Sequence, residues 1–233
     1  METLEQQVRR RVEGLAPRRA AELLDGPCIV EGQIGARVTL EAPLGGQAVA
    51  GYWLRVEVYR DRDVWLFRKR PWRTVVEEGQ IGPFELEDGP ARASIEVSGP
   101  TLFVGGSPAR TSSLLPPERV RRLLERTGEP DTEKWLTLES DKHVRWVERT
   151  LAPGAPVTVI GQATTRPAPT IDDGSYRDAA AALLTIGPPA DGPLIVADRP
   201  LEALVKRLRQ PGSAVLVSVG STDSRLVPGN GGC

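Results

Sequence analysis

The sequence predicts a β-rich α+β protein built on an OB-like small β-barrel, with an N-terminal helix, an inserted helix and a C-terminal helix–strand unit. Three observations carry that prediction. Apolar and polar residues alternate with period two between Pro27 and Val97: Val56 and Val58 against Arg55 and Glu57, Phe84 and Leu86 against Glu85 and Glu87, Ile95 and Val97 against Ser94 and Glu96. Alternation of this kind puts one set of side chains on a buried strand face. The runs are short and broken by Gly, Pro and Asp-Gly, and many short antiparallel strands close most simply as a barrel. Finally, 24 Gly and 21 Pro in 233 residues supply the turns that such a fold requires.

Composition sets the outer limits. A hydrophobic share of 39% with 26% charged residues is that of an ordinary globular chain. The formal net charge of −1 gives no general attraction for nucleic acid or anionic lipid. The cations are nearly all arginine, with lysine only at Lys69, Lys134, Lys142 and Lys206. Cys28 and Cys233 are too few for a disulfide framework; Cys28 reads as a packed thiol and Cys233 as a tail thiol. No apolar run approaches the ~20 residues of a membrane span, and the first residues are too polar for a signal peptide. The expectation is a soluble, cytoplasmic protein that reaches a membrane only through a partner.

The chain divides into an amphipathic helical segment (1–25), a main domain (26–220) with a helical insertion at 116–128, and a disordered tail (221–233). Leu4, Val8, Val12 and Leu15 fall on one stripe of a first helix. Pro17 interrupts it, and Arg18 to Leu24 reads as a second short helix. The barrel strands follow from Pro27, with a hairpin over 81–97 turning at Asp88-Gly89. Residues 98–117 read as a Gly-, Pro- and Ser-rich loop. Pro116-Pro117 then opens a helix with Val120, Leu123 and Leu124 inward. Strands are predicted at the end of 133–150, at 156–163, and in AALLTIG, PLIVAD and AVLVSVG, with a helix from Arg199 to Arg209. The loops 98–115 and 166–178 are long connections of the kind that carry binding residues.

Catalytic constellations are missing from this pattern. His143 stands in a charged stretch with no metal-ligand partner, and no motif positions a Ser or Cys nucleophile. Gly32, Gly35, Gly45, Gly46, Gly105 and Gly106 read as turn glycines rather than a phosphate loop. Glu85, Glu87 and Asp88 read as a solvated hairpin face. One patch carries binding chemistry: Trp53, Trp65 and Trp72 interleaved with Arg68, Lys69, Arg70 and Arg73. Aromatics that stack bases and cations that meet phosphates are the ingredients of a single-strand nucleic-acid groove. The same alternation equally makes the aromatics a barrel core and the arginines its wet face.

The strand order carries a resemblance as well. Cys28 in CxxxG at 28–32, the turn APLGG at 42–46, the aromatic-led strand at 52–59, PFELED at 83–88 and LAPGAPVTVIGQA at 151–163 resemble the GIDE domain, also called the BAM (beside-a-membrane) domain. The resemblance spans roughly residues 25–210. It implies kinship with membrane RING-type E3 ubiquitin ligases, in which this domain lies between two transmembrane helices and a RING follows. A RING needs eight Cys/His ligands in paired spacings, against two Cys and one His in this sequence. Ligase chemistry therefore does not carry over. The resulting expectation is a non-catalytic binding or sensing module, without metal or cofactor, for a protein, lipid headgroup or small ligand. Single-stranded nucleic-acid binding is the alternative, as is an accessory role in a ubiquitin-like pathway involving Gly231-Gly232.

Overall fold

A computed structural model describes residues 4–59, 72–106, 111–113, 117–127, 144–166, 183–208 and 214–219. In chain order, α1 (Leu4–Gly14) precedes β1 (Pro17–Arg18) and a single 3-10 turn at Ala20–Glu22. Then come β2 (Gly26–Ile34), the small pair β3 (Leu40–Glu41) and β4 (Ala48–Val49), β5 (Gly51–Tyr59) and β6 (Trp72–Ile81). The hairpin is β7 (Phe84–Asp88) and β8 (Ala91–Ile95), followed by β9 (Thr101–Gly106) and β10 (Thr111–Ser113). After α2 (Glu118–Arg126) lie β11 (Val144–Leu151) and β12 (Pro156–Arg166). The chain continues through β13 (Leu183–Gly187), β14 (Leu194–Ala197), α3 (Leu201–Leu208) and β15 (Ala214–Val219).

Five of these strands close on themselves in the order β2-β7-β8-β13-β12 and back to β2. All neighbours are antiparallel except β8 and β13, which run parallel. This is a five-stranded OB-like barrel, and closure removes its exposed edges. Two strand glycines make the closure possible. A Cβ at Gly32 would lie 2.6 Å from the Glu87 carbonyl oxygen, and one at Gly161 would lie 2.6 Å from that of Gly187. The expectation of a turn glycine at Gly32 is thus corrected: it permits close backbone approach inside β2. Gly89 does turn the β7–β8 hairpin, at φ 60°.

The barrel draws on a different set of strands from the one expected. From the stretch 27–97 it takes only β2, β7 and β8 and completes itself with β12 and β13. The long strands β5 and β6 instead join β10 and β11 in a separate four-stranded sheet. Residues 98–117 are also corrected. Thr101–Gly106 forms β9, parallel to β14 and antiparallel to β15, and Thr111–Ser113 pairs with β11. Leu102, Phe103 and Val104 are each 1% exposed; an apolar run buried on both faces does not alternate.

β14, β9 and β15 extend the barrel sheet past β12. One face of this extension meets α1 and α3 through Val8, Val12, Ile29, Leu102, Ile160, Ile195 and Leu204. Of the expected helical stripe, Val8 and Val12 are buried and Leu15 is partly so. The second helix expected at 18–24 shrinks to its 3-10 turn. Ala20 and Leu23 still enter the main core, and the Ala20 N–H donates to Asp88 Oδ2 at 3.0 Å. The other face of the extension and the barrel interior share one core with the four-stranded sheet, through Val30, Val159, Val196 and Phe103 against Trp53, Val147 and Leu151. The far face of that sheet is covered by α2, whose Val120, Leu123 and Leu124 pack on Leu54, Val56, Val58 and Val144. Among the described residues no helix is long and apolar enough to cross a membrane. The tail 221–233, Cys233, His143 and the loop 167–178 lie outside the described residues.

Candidate functional site

The four-stranded sheet offers two chemically distinct faces. β11 and β5 pair in full register, with Arg145 opposite Glu57, Val147 opposite Arg55 and Arg149 opposite Trp53. Because strand side chains alternate, these six share the face turned toward the barrel sheet. Val144, Trp146 and Glu148 share the face turned toward α2.

On the α2 side, Glu148 organises a groove. Its carboxylate accepts the Leu44 N–H at 2.7 Å and the Gly45 N–H at 2.9 Å, which pins the 42–46 turn to β11. Gly46 closes that turn at φ 73°, with the Arg119 guanidinium filling the place of its missing Cβ. Arg119 Nη1 also lies 3.6 Å from a Glu41 carboxylate oxygen. Between these groups is a cavity of about 460 Å³ lined by Leu44, Gly45, Pro117, Arg119, Trp146 and Glu148 among others. Further along this face, Glu78 and Glu148 flank Leu54 from opposite neighbouring strands. Burial pushes the Glu78 carboxyl up from its ordinary range; Arg126 draws it back and Glu148 adds to the rise. Burial likewise raises the Tyr52 hydroxyl, reinforced by Glu78.

On the opposite face the side chains form a charged seam. Arg145 Nε donates to Glu57 Oε2 at 2.6 Å, and its guanidinium stacks 4.1 Å over the Trp72 ring. Arg55 donates to Glu77 at 2.6 Å and lies 5.1 Å over the Trp53 ring. Asp198, just after β14, receives Arg199 and has Arg149 at 3.9 Å.

This geometry redistributes the expected binding patch. Trp53 is 2% exposed, so its ring is a core element with no open face for a base. Trp72 and Arg73 are half-buried at the start of β6. Trp65, Arg68, Lys69 and Arg70 lie outside the described residues. Glu85 and Glu87 face Arg92 at 4.0 and 3.6 Å, consistent with a solvated hairpin surface. Cys28 is a buried free thiol. Arg145, Arg149 and Trp146 were not singled out from the sequence. Their signal was there: VRWVERTL alternates Arg145, Val147 and Arg149 against Trp146 and Glu148. Among the described residues no group of three His, Cys, Asp or Glu is placed to hold a metal ion. Comparison with protein-family models, curated proteins and solved structures finds no match.

Proposed function

We propose that this chain is a non-catalytic binding module of the GIDE/BAM type, and that its ligand face is the groove beside α2. The observation that carries this reading is the groove itself: about 460 Å³, concave, with an aromatic wall at Trp146 and a cation at Arg119. Its volume falls in the range of about 300–1,000 Å³ usual for ligand sites. An OB-like barrel alone names no ligand, so the reading rests on this appended site and on the sequence resemblance. The ligand is a protein segment or small molecule presenting an acidic group to Arg119 and an apolar group to Trp146. Nucleic-acid stacking is the weaker reading, because the Trp53 ring is enclosed and the Trp72 ring already carries the Arg145 guanidinium.

The test is capture from native lysate by the full chain, the Trp146→Ser variant and the Arg119→Glu variant, with mass-spectrometric readout. A partner or ligand held by the parent chain and lost from both variants supports the groove. Equal recovery by all three overturns it. An oligonucleotide titration at low salt, followed by fluorescence anisotropy, decides the nucleic-acid reading separately. On the same reading the protein is cytoplasmic and meets membranes through its partner, so a high-salt and carbonate wash should release it from membrane fractions.

A further inference from the structure

The charged seam has a shortage of acceptors. Four buried side-chain nitrogen or oxygen atoms lack a hydrogen-bond partner among the described residues: Trp53 Nε1, Arg55 Nε, Arg149 Nε and Thr185 Oγ1. Three of the four are N–H donors on neighbouring positions of one sheet face. Trp53 and Arg149 are register partners across β5 and β11, and Arg55 is two residues from Trp53 with its guanidinium over the indole ring. A buried donor without an acceptor is costly, and three together call for an acceptor that the described residues do not supply.

Charge points the same way. The seam carries Arg55, Arg145, Arg149 and Arg199 against Glu57, Glu77 and Asp198. Glu57 is taken by Arg145 and Glu77 by Arg55. Asp198 is shared between Arg199 and Arg149, and the Arg149 contact is the longer, at 3.9 Å. Among the described residues the seam thus sets four arginines against three carboxylates, and Arg149 makes the longest of these ion-pair contacts. Nη1 of Arg149 is the atom turned to Asp198, and Nε, on the other edge of the guanidinium, has no acceptor among the described residues. That edge is the fork that grips carboxylate and phosphate oxygens side-on. The Arg149 side chain is 34% exposed and that of Arg55 is 28% exposed, while the three donor atoms themselves are buried.

We propose that the seam between the two sheets is a binding site for an oxyanion, gripped by the Nε edge of Arg149 and completed by Arg55 Nε–H and the Trp53 indole N–H. The anion accepts from donors that have no acceptor among the described residues. The site is separate from the groove beside α2 and does not depend on it. Phosphate and carboxylate share the chemistry; the two arms of the experiment tell them apart.

The test follows the indole N–H resonances of the full-length ¹⁵N-labelled protein during titration with inorganic phosphate and, separately, acetate. Sodium chloride holds ionic strength constant. The Trp53 signal is identified by its loss in Trp53→Phe. A saturable shift of that signal with phosphate alone assigns a phosphoryl ligand, with acetate alone a carboxylate, and with both a general oxyanion site. Arg149→Gln should weaken the saturating anion at least tenfold. If that variant fails to fold, Arg55→Gln and the calorimetric heat of the parent chain carry the same comparison. No saturable shift with either anion, or a shift that chloride reproduces, overturns the proposal.

Discussion

Arg145 on β11 and Glu57 on β5 are direct register partners and bind each other at 2.6 Å, with side chains 18% and 10% exposed. The pair bonds across two strands of the flanking sheet, and the Arg145 guanidinium also roofs the Trp72 ring. Removing one partner of a buried pair leaves the other charge uncompensated, which costs about 3 kcal/mol or more. Glu57→Ala should therefore lower stability in urea unfolding by about that amount. The double variant Glu57→Ala/Arg145→Ala should be less destabilised than the sum of the two single changes. Strict additivity would mean the pair is not coupled.

Barrel closure depends on strand glycines. Gly161→Ala would set a methyl group 2.6 Å from the Gly187 carbonyl oxygen and 2.9 Å from Ile186 and Leu194 side-chain carbons. Neither β12 nor β13 can move apart without loss of the ladder between them. Overpacking of this kind costs about 1–3 kcal/mol, so the urea midpoint should fall accordingly. Gly14→Ala is the control, since nothing lies within 4 Å of a Cβ there.

Glu78 gives a pH dependence of definite sign. Its carboxyl is raised in the folded state, chiefly by burial, so the native protein holds that proton more tightly than the unfolded chain. Its contribution to stability is present below the unfolded carboxylate range. It is lost as pH rises through the folded value. Glu78→Gln should therefore stabilise the protein more at pH 7 than at pH 4 relative to the parent. Thermal melts at both pH values check this, and an equal shift at both would contradict it.

Cys28 should be inert while the protein is folded. Burial pushes its thiol up, outweighing backbone N–H contacts from Gly161 and Ala163 and the nearby Arg18 charge, so little thiolate exists at neutral pH. In a Cys233→Ser variant, in which Cys28 is the sole thiol, reaction with a disulfide reagent should be slow in buffer and rapid in denaturant. Fast reaction in buffer would show that β2 opens on that timescale.

The sequence alone determined the elements whose faces differ. The β7–β8 hairpin, α2 and α3 were legible because one face of each meets core and the other meets water, and that contrast prints a period of 2 or 3.6 on the chain. The apolar runs in β2, β12 and β14 showed that strands were present without showing which sheets they joined, since both faces of those strands are buried. Which strands form the barrel was decided only by long-range pairing. β12 lies against β2 across more than a hundred residues, and β5 with β6 is diverted into a second sheet. No local pattern encodes that choice, because a strand alternates identically whichever partner it finds. The candidate sites followed the same rule. From the sequence Trp53 reads as a candidate stacking ring and Arg149 as an ordinary strand residue. Only the register of β5 on β11 makes the two cross-strand partners, with the indole Nε1 and the Arg149 Nε both buried without an acceptor among the described residues.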